Sequence, residues 1–245
     1  MRDTIFHILF VWYPYLCLTT FLVGSLIRFD REPYTWRAGS SQMLRKRQLA
    51  WGSNLFHIGI LFLLLGHTVG LLTPKAIYSL VMTVEQKQMI AIVAGGIAGS
   101  ICFVGLTLLL HRRLFDARVW TTSSVMDVSI LVILWIQLSL GLLTLPFSLS
   151  HSDGSVMLTL AHWAQGILTL QPVDARTLQG LDWPYLAHLV LGMTIFLLFP
   201  FSRLVHVWSA PVWYLGRKGY QVVRTRRDLS AARELSARNM RQPAE

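Results

Sequence analysis

Eight histidines are the side chains of this 245-residue chain best suited to redox or metal chemistry. Only two cysteines accompany them, Cys17 and Cys102, and both lie within apolar runs. Two thiols cannot supply the four thiolates of a usual iron–sulfur cluster. No Cys-x-x-Cys-His run is present, so covalent attachment of a c-type haem is excluded. A metal centre in this chain would therefore rest on histidine. His57, His67, His188 and His206 stand out, because they fall inside long apolar stretches, where ionisable residues are rare and usually functional.

The spacing of these four is informative. His188 and His206 are 18 positions apart, about five whole turns of an α-helix, so a continuous helix would present them on one side. His57 and His67, ten positions apart, differ by about 80° and share one broad side. The two stretches are an odd number of crossings apart and run antiparallel. His57 then pairs in depth with His206, and His67 with His188. Along the helix axes the separations are about 15 Å and about 27 Å, a mismatch that tilt and a kink at Pro200 would have to absorb. Small residues stand nearby: Gly66 and Gly70 around His67, Gly192 after His188, Ser53 and Gly59 around His57, and Ser202 before His206. They leave room for a flat, bulky ligand, and two bis-histidine b-type haems fit the pattern. Packed core histidines and a proton relay are the alternatives open at this stage.

Other residues carry weaker signals. Lys87 stands near the level of His67. It is either a lysine snorkelling at a helix end or a cation for a haem propionate or a quinone oxygen. Arg203 is placed to pair with an inner propionate. Gln137 reads as polar glue between helices, and Gly95 with Gly99 as a small-residue packing motif. His7, His111, His151 and His162 read as structural.

The elements that position these residues are membrane spans. The chain is 53% apolar and only 14% charged, with a mean hydropathy of +0.50. A soluble domain would carry about 25% charge. Five segments reach the ~20 residues that a bilayer crossing needs, at 4–27, 54–73, 89–110, 125–147 and 184–208. A sixth, 156–170, is shorter and reads as an interfacial or re-entrant helix. The first segment lacks a basic start and a clear cleavage site, and reads as a retained helix. The expected fold is an all-α integral membrane protein with a five-helix domain at 1–215 and a basic tail at 216–245.

Charge placement sets the orientation. The net charge is +10, and 18 of the 22 Lys and Arg residues fall in the first and third connections and in the C-terminal end from Arg203 onward. By the positive-inside rule that side is cytoplasmic, which leaves the N-terminus outside, in the periplasm. The basic tail reads as a solvated end in contact with anionic lipid, with a docking surface for a cytoplasmic partner as the alternative. Its sparse aromatics argue against nucleic acid.

Several runs together are more specific than any one of these features. They are YTWRA from Tyr34, SSQM from Ser40, SNLFHIGI from Ser53, LLT from Leu142, HLVLGMT from His188 and FLLFPFSRLVH from Phe196. In this order they resemble the cytochrome b (gamma) subunit family of membrane-bound respiratory nitrate reductases, over about residues 1–225. The resemblance implies a quinol dehydrogenase subunit in a bacterial inner membrane. It implies an inner haem b on His57 and His206 and an outer one on His67 and His188. It also implies a quinol site, for menaquinol or ubiquinol, at Lys87 beside His67, Gly66 and Gly70. Electrons would pass to an iron–sulfur beta subunit and then a molybdenum-containing alpha subunit at the cytoplasmic face, and protons would be released outside. The tail beyond about residue 225 has no counterpart in the family. A quinone module of a sulfite- or heterodisulfide-linked reductase, and a haem-free proton or ion transporter, are the rival functions.

Overall fold

The computed structural model describes residues 1–36 and 44–209. The basic tail and the SSQM run lie outside the described residues. Five helices are long and apolar enough to cross a membrane: α1 (Arg2–Arg31), α2 (Lys46–Leu72), α3 (Val84–Phe115), α4 (Val125–Ser150) and a last span, Trp183–Phe201. Between the last two lies the shorter α5 (Ser155–Leu168), where the sequence predicts a short non-spanning helix. The α-helical part of the last span is α6 (Trp183–Leu198). Much of the outer surface is apolar, as with Leu61, Phe62, Leu64 and Leu65 on α2. Such faces suit hydrocarbon, and each helix satisfies its own backbone there.

The helix starts follow local chemistry. Thr83 and Gln86 form a reciprocal cap that opens α3, and Ser124 and Asp127 do the same for α4. Pro14 shapes α1 differently. It has no N–H for the carbonyl of Phe10, and the helix widens over Ile8–Trp12 just before it. The Trp163 indole of α5 donates to that Phe10 carbonyl at 2.8 Å. Phe10 and Trp163 are both buried, in a small core shared with Ile167 and Leu178. A proline in one span thus creates the acceptor that docks the short helix.

Packing runs in a ring. α2 packs along α3, α3 on α4, α4 on α6, and α6 on α1, while α5 packs on α2. The α2–α3 contact is the tightest. A Cβ built on Gly59 would lie 2.5 Å from the Cys102 Cβ, and one on Gly105 would overlap the backbone of Phe56. Gly59 thus serves helix packing, not the space for a ligand that its position beside His57 suggests. Gly95 has open space around it; Gly99 instead meets Leu142 of α4.

The end of the bundle that carries the basic residues is cross-tied. Arg112 donates to the Leu44 carbonyl at 2.6 Å, and Arg45 pairs with Asp116 at 2.6 Å. The backbone N–H of Val119, followed by that of Arg118 and the charges of Arg45 and Arg112, holds the Asp116 carboxyl below the usual range. Asp127 reaches Arg113 at 3.9 Å and Arg203 at 3.7 Å, tying α3 and α4 to the segment after the last span.

Candidate haem and quinol sites

α2 and α6 are not among the closely packed helix pairs, although their neighbours bring them face to face. Two pairs of imidazoles meet across this space. The rings of His57 and His206 have centroids 6.4 Å apart and planes 70° apart. Those of His67 and His188 have centroids 6.1 Å apart and planes 30° apart. The structure therefore forms the two pairs that antiparallel helices require.

The hydrogen bonds select one tautomer at all four rings. The Nδ1 of His57 lies 2.7 Å from the Ser53 carbonyl, that of His67 2.8 Å from Leu63, that of His188 3.1 Å from Gln137, and that of His206 2.6 Å from Arg203. A carbonyl only accepts, so each Nδ1 carries the proton and donates it. The lone pair is then on Nε2, the nitrogen at the far side of each ring. A carbonyl partner on one nitrogen and a lone pair on the other is the usual arrangement of a histidine ligand; at His188 that lone pair accepts from the Gln137 amide at 3.3 Å.

The spacing fits an iron between each pair. Two metal–nitrogen bonds of about 2.0 Å, plus about 1.1 Å from each nitrogen to its ring centre, give about 6 Å between centroids. Four protonated Nδ1 atoms and two such spacings match the donor set of two haems b.

The route to His206 differs from the sequence expectation. A continuous helix would carry His188 and His206 on one side through five turns. Instead α6 ends at Leu198, a tight 3₁₀ turn follows at Phe199–Phe201, and Ser202 is extended at φ −114° and ψ 177°. His206 sits on a second 3₁₀ segment, Arg203–Ser209. Pro200 breaks the helix instead of only kinking it. The Ser202 hydroxyl donates to the Phe199 carbonyl and accepts the Leu204 N–H, so it caps the turn.

Around His188, the glycines have specific tasks. A Cβ on Gly141 would lie 2.9 Å from the imidazole Cε1, so glycine there admits the ring. A Cβ on Gly192 would lie 3.1 Å from the Gln137 amide nitrogen. Gly192 thus makes room for Gln137, not directly for a cofactor. That amide donates to the His188 carbonyl at 3.0 Å and stands 3.3 Å from its Nε2. Gln137 is the polar tie between spans expected from sequence, but its partner, the histidine itself, could not be read there. Apart from chain neighbours and their own helix backbone, Gly66 and Gly70 have no protein atom within 4 Å of a built Cβ, so no neighbouring helix packs on either.

Lys87 lies in the first turn of α3, within the span and not ahead of it. It does not snorkel: it is only 8% exposed, and its Nζ sits 3.8 Å from the centroid of the Tyr78 ring. The next residue, Gln88, donates to the carbonyls of Ser148 and His151 and ties this end of α3 to the end of α4. Tyr78 was missed in the sequence, and a lone tyrosine in a short connection offers no signal. Arg203 is found beside Asp127, 3.7 Å away. Asp127 is the carboxylate shared by Arg113 and Arg203.

The sequence matches the family described as nitrate reductase gamma subunit over residues 6–226. The chain belongs to that family. It is 52% identical over 214 residues to the respiratory nitrate reductase 1 gamma chain of Escherichia coli K12, covering 87% of this chain and 95% of the relative. It is 53% identical over 215 residues to the respiratory nitrate reductase 2 gamma chain of the same strain, again 95% of that relative. Identity to the nitrate reductase gamma chain of Bacillus subtilis 168 is 37% over 214 residues, 87% of this chain and 95% of that one. Membership places the chain in an oxidoreductase complex as its gamma subunit. Together with the five apolar helices, these relatives fit a multi-pass protein of a bacterial inner membrane.

Proposed function

We propose that this chain is a membrane dihaem cytochrome b that oxidises quinol on behalf of a nitrate reductase. The observation that carries the reading is the pair of facing imidazole couples, each at haem-iron spacing and each with its Nδ1 proton tied to a carbonyl. A haem b bound at each would supply an iron that takes up and releases one electron at a time. His57 and His206 would hold the inner haem, and His67 and His188 the outer one. The carbonyls of Ser53, Leu63, Gln137 and Arg203 hold the Nδ1 proton and leave Nε2 as the coordinating nitrogen; at His188 the Gln137 amide, 3.3 Å from Nε2, would give way to the iron.

Charge asymmetry supports a periplasmic N-terminus and a cytoplasmic C-terminal end. Lys87 then stands on the outer side, as His67 does. Quinol, menaquinol or ubiquinol, would react there and become quinone, releasing two electrons and two protons. A buried ammonium donates to a quinol oxygen and favours its deprotonated form. The open space at Gly66 and Gly70 leaves room for a ring beside His67. The protons leave to the outside. The electrons pass to the iron–sulfur beta and molybdenum-containing alpha subunits at the cytoplasmic face. Arg203 is a proposed inner propionate partner, held in place by Asp127.

Purified protein should carry two non-covalent b-type haems with different midpoint potentials. His57→Ala and His206→Ala should each remove one and the same haem, and His67→Ala and His188→Ala the other. Loss of one haem by His57→Ala and His188→Ala together would refute the pairing. A protein with no b-type absorption would favour the transporter reading.

A further inference from the structure

His206 is the one proposed ligand that no long helix positions. The break at Phe199–Ser202 detaches it from α6, so something else must set its place. α1 has one face on this break. Counting along that face, Phe21, Gly24 and Arg28 recur at helical spacing, and each meets the break differently.

Arg28 supplies the polar part. Its Nη1 donates to the Pro200 carbonyl at 2.5 Å and to the Ser202 carbonyl at 3.0 Å. Its Nη2 and Nε donate to the backbone and hydroxyl oxygens of Thr35 at 2.8 and 3.3 Å, which fix the guanidinium in the connection after α1. The rigid fork of arginine lets Nη1 take both carbonyls that a broken helix leaves exposed while Nη2 and Nε stay on Thr35. Gly24 supplies the close approach, since a Cβ there would lie 2.9 Å from the Pro200 ring. Phe21 supplies the far side: its ring stacks on Trp208 at 5.2 Å and meets Phe199 edge-on at 4.8 Å. The contacts grip the chain before His206, at Pro200 and Ser202, and after it, at Trp208.

We propose that Arg28 of the first span is a positioning residue for His206, and through it for the inner haem. The proposal rests on the reading of His206 as an inner-haem ligand. The guanidinium holds the two carbonyls that anchor the Arg203–Ser209 segment, and that segment sets where the His206 imidazole stands opposite His57. No part of this clasp reaches the His67–His188 pair, so its effects are confined to one haem.

The test uses the full chain in native membranes, read by haem content, redox titration and low-temperature spectra of each haem. Arg28→Gln should weaken inner-haem retention on the order of 10-fold, the low end of what losing a group hydrogen-bonded to a metal ligand costs. It should also shift that haem's midpoint potential and low-spin signal while leaving the outer haem unchanged. Arg28→Lys, which keeps the charge but not the fork, should restore the inner haem only in part. Gly24→Ala pushes on Pro200 without touching Arg28 and should disturb the same haem, so it decides the matter if Arg28→Gln does not accumulate. An inner haem unmoved in both Arg28→Gln and Gly24→Ala overturns the proposal, as does equal disturbance of both haems. His206→Ala run alongside separates the two layers of inference. If it retains both haems, the ligand reading itself fails. If it loses one while the clasp variants do nothing, only the role of Arg28 fails.

Discussion

Gly59→Ala isolates the coupling between helix packing and the inner site. The added Cβ would lie 2.5 Å from the Cys102 Cβ, 2.6 Å from its backbone nitrogen and 2.7 Å from its Cα. Carbon atoms make ordinary contact at about 3.5 to 4.0 Å, so α2 must retreat from α3 by about 1 Å. No rotamer change can relieve the clash, because two of the three atoms are backbone. Overpacking of this kind costs about 1–3 kcal/mol. It also displaces His57, two residues away, from its 6.4 Å spacing to His206. Gly59→Ala should therefore lower the thermal stability of the detergent-solubilised protein and preferentially release the inner haem. The double variant Gly59→Ala/Cys102→Gly removes one of the three clashing atoms and should not restore either property. Gly66→Ala is the contrast, since its Cβ meets no protein atom within 4 Å. It should leave protein packing intact, and any effect should appear at the outer haem or at quinol. Wild-type melting and full inner-haem content in Gly59→Ala would refute the reasoning.

Three further outcomes are expected. Lys87→Ala should keep both haems but slow their reduction by quinol, with electron delivery after chemical reduction unchanged; full quinol-dependent reduction would remove Lys87 from the site. Asp127→Asn keeps hydrogen-bonding capacity at the start of α4 but removes the charge facing Arg113, which is only 8% exposed on its side chain. It should cost about 1–3 kcal/mol in thermal denaturation, between the values for exposed and buried pairs, and a wild-type melting temperature would show the cluster to be energetically neutral. A reporter fused after Glu245 should be active only in the cytoplasm and one inserted near Asp153 only outside; the reverse pattern would overturn the orientation and with it the route to cytoplasmic partners.

Composition and periodicity were enough for the membrane class and the five spans, because a bilayer crossing demands about 20 mostly apolar residues. Helix direction alone put His57 opposite His206 and His67 opposite His188, since antiparallel rods of known rise constrain depth without any contact being known. The tasks of the small residues were not legible. Gly59 beside His57 and Gly66 beside His67 look alike in sequence, yet one touches Cys102 of α3 and the other faces open space. Which side of a helix meets a neighbour depends on how all the helices pack, and a local window carries no trace of it. The break after Leu198 was only half visible. Pro200 announces a disturbance, but whether a proline kinks a helix or ends it depends on who receives the freed carbonyls. Here Arg28, 172 positions earlier in the chain, does so. Tyr78 against Lys87 and Trp163 against the carbonyl freed by Pro14 follow the same logic. Sequence decides which groups lack a partner within their own helix, and only the tertiary fold decides which distant side chain satisfies them.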